Sequence, residues 1–210
     1  MLIQPTFFAP IIQYVLLANS RDIVFEKFDN YQKQTYRNRC YIYGANGRQL
    51  LTVPILHAKR QGRQKTRDIK IDSSFSWQKI MIKSLESSYR SSPYFEYYED
   101  EIIEIFEKKH TFLLDLNFYA HEVVNQCLQL ENSISYTDRY VESSDKATDF
   151  RYLAKAKGEP GYDLKKYTQV FDSKFGFISN LSILDLLFNE GTTAVQYLED
   201  HKPLLIKKAV

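Results

Sequence analysis

Apolar residues along this chain keep two rhythms. Between residues 76 and 130 they recur every three or four positions. Trp77, Ile80, Met81, Leu85 and Tyr89 share one helical face. Phe95, Tyr98, Ile102, Ile105 and Phe106 form a second stripe, and Leu113, Leu116, Ala120, Val124 and Cys127 a third. The spacing predicts three amphipathic helices, the middle one capped by Ser92 with Pro93 in its first turn. Elsewhere, short apolar runs bounded by turn residues predict strands. Residues 2–5 read as a buried first strand ending at a proline. A helix follows over about residues 10–19, and Ile23-Val24-Phe25 reads as a second buried strand. Residues 36–43 and 49–55 bracket Gly44-Ala45-Asn46-Gly47, and an Asn-Gly between β-rich runs is a strong hairpin signal. Residues 68–72 alternate polar and apolar, the period of a half-buried strand. Residues 179–191 read as a final amphipathic helix. Ser179 or Asn180 caps its start, Ser182 and Asp185 have capping-box spacing, and Gly191 suits the left-handed position past its end.

Polar segments punctuate these elements. Residues 58–67 gather Lys59, Arg60, Arg63, Lys65 and Arg67 around Gly62 and read as a loop. Residues 131–150 are rich in Ser, Thr, Asp and Glu and read as a loop or a weak strand, and residues 158–161 as a turn. Strands come first, with a helix between the first two, which favours an α/β architecture over a bundle. The expectation is a single mixed-sheet domain over residues 1–210, flanked by helices, with a helical middle segment over about 76–130.

Composition narrows the function classes. Lysine and arginine number 28 against 26 aspartates and glutamates, so the net charge of +2 is nearly balanced and a nucleic-acid partner is not expected. Cys40 and Cys127 lie far apart and read as free thiols of a reducing compartment. No stretch has the roughly 18 continuous apolar residues of a membrane span, and residues 7–18, though apolar, follow no cationic segment. The expected location is cytoplasmic. The 16 tyrosines and 14 phenylalanines fit either a polar-ligand cleft or ordinary core and rim packing.

Candidate chemistry is sparse. His57, His110, His121 and His201 show no metal-ligand spacing, and no nucleophile-elbow, P-loop or dinucleotide fingerprint occurs, so neither a metal nor a cofactor is implied. Gln4 lies at the end of the first strand, where open α/β sheets bind ligands; it either faces a substrate or satisfies backbone groups in the turn. Tyr36 and Asn38 would share one strand face, with Arg37 and Arg39 on the other. An arginine fork there suits a phosphate, and the alternative is a solvated face paired with carboxylates. Tyr167, Gln169 and Asn180 lead into the last helix, either as a ligand platform at its N-terminus or as aromatic packing around a cap, with Asp185 in its first turn. Asn117 falls on an apolar stripe and should anchor a neighbouring loop or line a pocket, whereas His121 reads as a surface or boundary residue. Cys40 follows Arg39, whose charge would activate a thiol.

Several segments together resemble the WbqC-like family. They are Leu2-Ile3-Gln4-Pro5, Tyr36-Arg37-Asn38-Arg39, Leu51-Thr52-Val53-Pro54, Trp77, Tyr89 with Ser92-Pro93-Tyr94-Phe95, Tyr167-Thr168-Gln169, and residues 180–191. The run at residues 30–40 resembles a Bacteroidetes-type branch. Members occur in bacterial loci for O-antigen and other surface polysaccharides, so the resemblance implies a role in glycan assembly. Many begin His-Gln-Pro-x-Tyr-x-Pro; here Ile3, Phe7 and Ala9 stand in place of the histidine, tyrosine and second proline. The resemblance points to an enzyme that modifies an activated sugar or transfers a small group to it. Arg39, with Arg37, would hold phosphate, while Gln4, Asn38, Tyr167 and Gln169 orient the sugar of a nucleotide-activated or other small anionic ligand, with Tyr36, Asn180 and Asp185 as further candidate contacts. The alternative is a non-catalytic partner of a glycan-assembly enzyme.

Overall fold

The computed structural model describes residues 1–56, 64–142, 148–158, 161–202 and 204. The chain runs through β1 (Leu2–Ile3), α1 (Ile11–Ala18), β2 (Asp22–Phe25), β3 (Arg39–Gly44), β4 (Gly47–Thr52), α2 (Trp77–Tyr89), α3 (Phe95–Glu107), α4 (Leu113–Cys127), β5 (Ser133–Tyr136), α5 (Asp172–Phe175), α6 (Ile183–Glu190) and α7 (Ala194–Asp200). Short 3-10 turns lie at Thr66–Asp68, Arg151–Ala154 and Gly191–Thr193.

The architecture is α/β, with its parallel and antiparallel strands divided between two sheets. The first is parallel, in the order β1-β2-β5, with Leu2 opposite Val24 and Ile23 opposite Ile134. Parallel neighbours need a crossover, and α1 supplies it between β1 and β2. On the free side of β1 a further segment runs alongside: Leu2 N donates to Thr148 O at 2.8 Å, and Phe150 N to Leu2 O at 2.8 Å. That pairing carries residues 149–155 to the carboxyl end of the sheet. The second sheet is the expected hairpin, β3 against β4, turning at Gly44 and Gly47.

The helical middle is as the periodicity predicts, with two corrections. Ile80 is 59% exposed, because the buried stripe of α2 steps strictly by four from Trp77 through Met81 and Leu85 to Tyr89. Ser92 and Pro93 do not begin α3. They close α2, Ser92 Oγ donating to Tyr89 O at 2.7 Å, and Tyr94 is the residue before the helix. Residues 68–72 do bury Ile69 and Ile71 on alternate positions, yet they form only isolated bridges, Ile55 to Ile71 and Lys70 to Phe112. Within the expected polar stretch over 131–150, β5 is the weak strand. Lys59, Arg60 and Arg63 of the basic loop, His57, and Glu159 and Pro160 of the expected turn lie outside the described residues.

The cap of α6 is also reassigned. Ser182 fills it, its Oγ accepting from Leu184 N at 3.3 Å, rather than Ser179 or Asn180. Asn180 instead reaches across the chain, its Oδ1 accepting from Ile12 N at 2.8 Å in the first turn of α1. Gly191 does end α6 with φ 55°, and a Cβ there would sit 2.5 Å from the Tyr94 ring. Both the backbone angle and the close ring demand glycine. Among the described residues no helix is long and apolar enough to cross a membrane.

Candidate functional site

The three parallel strands deliver polar residues at their carboxyl ends. Gln4 follows β1, Glu26 follows β2 and Thr137 follows β5. Glu26 is fully buried and organises this edge. Its carboxylate accepts from Phe28 N at 2.8 Å, Thr137 Oγ1 at 3.0 Å and Val141 N at 3.1 Å, and it lies 3.6 Å from Arg151 Nη1. Arg151 in turn grips Asp149 through Nε at 2.9 Å and Nη2 at 2.5 Å, and donates to Val141 O. A cluster of charges is thus tied to the strand ends before any ligand arrives.

Above this edge opens a cavity of about 450 Å³. Gln4, Asp29, Arg37, Asp149 and Arg151 line it, Gln32, Ala154 and Lys155 complete it, and Tyr140 and Tyr152 supply aromatic faces. Open α/β sheets bind ligands in this position, outside the carboxyl ends of their strands. Asp29 and Arg37 form an ion pair, both nearly fully buried. Asn117 stabilises the turn beneath, its Nδ2 donating to Arg37 O at 2.8 Å and Pro5 O at 3.4 Å. Its expected role as a loop anchor is therefore the one seen.

Of the expected site residues, Gln4 lines the cavity, and Arg37 does so beside it. Residues 36–38 form a turn, and β3 begins only at Arg39, so the strand alternation that put Arg37 with Arg39 does not operate there. Phe7 N donates to Tyr36 O and Tyr36 N to Ala154 O, which pins the turn between two loops. Tyr36 is buried edge-on to Tyr41. Asn38 is buried too, donating to Val53 O at 3.0 Å and accepting from Tyr31 at 3.0 Å. Neither they nor Arg39 are among the described lining residues.

Tyr167, Gln169 and Asp185 come together at a separate place. The fully buried Asp185 carboxylate accepts from Tyr89 Oη at 2.8 Å, Tyr167 Oη at 2.5 Å and Gln169 Nε2 at 2.7 Å. Gln169 also bonds Ile178 through both its amide ends, and Tyr89 Oη accepts from Tyr43 N. Burial holds the Asp185 carboxyl above its ordinary pKa, opposed by these three donors. The same burial, together with Asp185, pushes the Tyr89 and Tyr167 phenols well above 10. Every side-chain bond of these residues goes to another member or to backbone, so the group works as a latch joining α2, β3, the approach to α5, and α6. The expected ligand platform is occupied by its own residues.

Cys40 is buried, and burial raises its thiol far above the usual range, so the activation expected from Arg39 does not occur. Cys127 is raised to about 11, again chiefly by burial. His121 is the boundary residue expected: only partly exposed, it packs edge-on to Phe25 at 5.0 Å, and burial lowers its pKa to about 4. Among the described residues no group of His, Cys, Asp and Glu gathers as a metal ion would need.

Neither periodicity nor motif spacing marks Asp29, Gln32, Tyr140, Asp149, Arg151, Tyr152 or Lys155 as site residues. Their nearest signal was the acid-and-base alternation of Asp149-Phe150-Arg151-Tyr152, which has no meaning until the 148–150 segment pairs with β1.

A short parallel sheet, a separate antiparallel hairpin and the helices around them define an α/β protein, with a charged, aromatic-walled cavity at the parallel sheet's carboxyl edge. More particularly, the chain belongs to the WbqC-like protein family, whose model matches residues 4–159. It is also similar to the uncharacterized protein Rv1507c of Mycobacterium tuberculosis, with 29% identity over 194 residues, covering 80% of this chain and 83% of that one. No solved structure gives a significant match.

Proposed function

We propose that this protein is a cytoplasmic enzyme that modifies an activated sugar, or transfers a small group to one, during assembly of a bacterial surface polysaccharide of the O-antigen type. The observation that carries the reading is the cavity at the sheet's carboxyl edge. It combines two aspartates, two arginines, a lysine and two tyrosine faces in a volume suited to a nucleotide-sugar. Tyrosine rings suit the faces of sugars and bases, and Lys155 suits a phosphate. Either Asp29 or Asp149 can take the proton of a sugar hydroxyl as that oxygen attacks an activated group, whose leaving group departs with the bonding electrons. The setting in glycan assembly is supported by the family resemblance.

The test is thermal shift of the pure protein against UDP-, GDP-, CMP- and dTDP-linked sugars, their parent nucleotides, ATP and coenzyme A, followed by an assay for consumption of every hit. A ligand at 100 times its dissociation constant stabilises by about 2.7 kcal/mol, enough to see. Binding with turnover is the expected result. Binding without turnover across all acceptors would favour a non-catalytic partner of a glycan-assembly enzyme. No shift with any of these ligands would sink the reading.

A further inference from the structure

The two ends of the cavity differ in the bonds they still have to give. At the closed end Gln4, Asp29 and Arg37 are 4%, 4% and 3% exposed. Yet among the described residues Gln4 Oε1, Asp29 Oδ1 and Arg37 Nε have no hydrogen-bond partner, nor has Asn117 Oδ1 of the residue that anchors their turn. Three of these four atoms are acceptors. The one donor belongs to a guanidinium already paired with Asp29. At the mouth, Lys155 is exposed and has no carboxylate partner among the described residues, and Tyr140 and Tyr152 are 47% and 37% exposed.

Building on the activated-sugar reading, we infer that the ligand enters sugar first: its hydroxyl-bearing ring occupies the closed end against Gln4, Asp29 and Arg37, and its phosphate stays at the mouth beside Lys155. A phosphate oxygen only accepts. Among three unpartnered acceptors, and next to the Asp29 carboxylate, it would find repulsion, with only the neutral Gln4 amide nitrogen and a guanidinium whose charge is already compensated to donate to it. A sugar hydroxyl donates and accepts through one oxygen, so it can give to Asp29 or Gln4 and take from Arg37. Gln4, Asp29 and Arg37 line the cavity, and a turn of the Gln4 amide or the Asp29 carboxylate would bring its unpartnered oxygen to the ligand. Buried polar groups left without partners destabilise the empty site, and that favours the turn. The Gln4 amide is a donor at one end and an acceptor at the other, and either end suits a hydroxyl. Arg39 and Arg37, expected from the sequence to hold phosphate, are thereby relieved of it.

The experiment is calorimetric titration of the full chain with the nucleotide-sugar giving the largest thermal shift and, separately, with its parent nucleotide. Gln4→Leu should weaken the nucleotide-sugar about tenfold and leave the parent nucleotide within about twofold. Lys155→Ala should weaken both by the same factor, about three- to tenfold, since the phosphate is common to them. Gln4→Leu weakening the parent nucleotide as much as the sugar conjugate would overturn the orientation. So would a Lys155→Ala loss confined to the conjugate, a result readable even where Gln4→Leu does not fold, because Lys155 is exposed. If neither the conjugate nor any nucleotide binds the wild-type protein, the activated-sugar reading itself fails and the orientation falls with it.

Discussion

His121 shows how far a single residue's behaviour depends on what packs around it. Its imidazole lies among Phe25, Tyr14 and the Asn125 amide, and burial lowers its pKa from 6.5 to about 4. Below pH 6.5 the unfolded chain therefore binds a proton that the folded one refuses. Stability must fall as pH drops from 6.5 towards 4, by up to about 3 kcal/mol from this residue alone. Urea midpoints at pH 7 and 4.5 should differ more in the wild type than in His121→Phe, whose curve should be flatter across that window. Equal slopes would mean that the imidazole is solvated. Asp185 has the opposite sign: its raised folded pKa costs stability as pH climbs from just below 4 through the folded value. Its three donors recover part of that cost.

At the scale of elements, caps come from a distance. The first turn of α1 receives Asn180, 168 residues away, on Ile12 N, and Asn180 holds φ 54° to do so. Asn180→Ala should cost about 1–2 kcal/mol, combining a lost cap with a left-handed angle that alanine resists. A denaturation midpoint within error of the wild type would show that the cap is idle. The neighbouring Ser182 ties the start of α6 to the segment that leads into α1, since its Oγ also donates to Phe8 O at 3.0 Å. Residues 180–191 stood out in the sequence because they hold α1, α2 and the hairpin in register with α6. Their chemistry is structural, although cap-like residues and an acid in a first turn read equally well as a ligand platform.

For the whole molecule, the separation of latch from cavity has a measurable consequence. The Asp185 network is buried in the core, whereas the residues at the cavity mouth are exposed and should contribute little to stability. Tyr152→Ala should lower affinity for the ligand found by thermal shift about tenfold, by removal of a ring face. Its own melting temperature should stay within about 1–2 °C of the wild type, as for surface substitutions generally. A large fall in melting temperature would place Tyr152 in the core's service instead.

Information local in the chain was readable from the chain. Helical periodicity marked α2, α3 and α4, Asn46-Gly47 marked the hairpin, and Gly191 the end of α6, because each signal is settled by interactions a few residues long. Gln4 could be placed at a strand's carboxyl end for the same reason. The cavity could not be foreseen, since Asp29, Arg37, Asp149, Arg151 and Lys155 meet only when residues 148–150 pair with β1 and the 36–38 turn is pinned by Phe7, Ala154 and Asn117. The sequence determined which elements form and which family the chain resembles. Tertiary packing decided which polar residues spend their hydrogen bonds on one another and which keep bonds to offer, because that choice depends on neighbours that periodicity and spacing do not reveal.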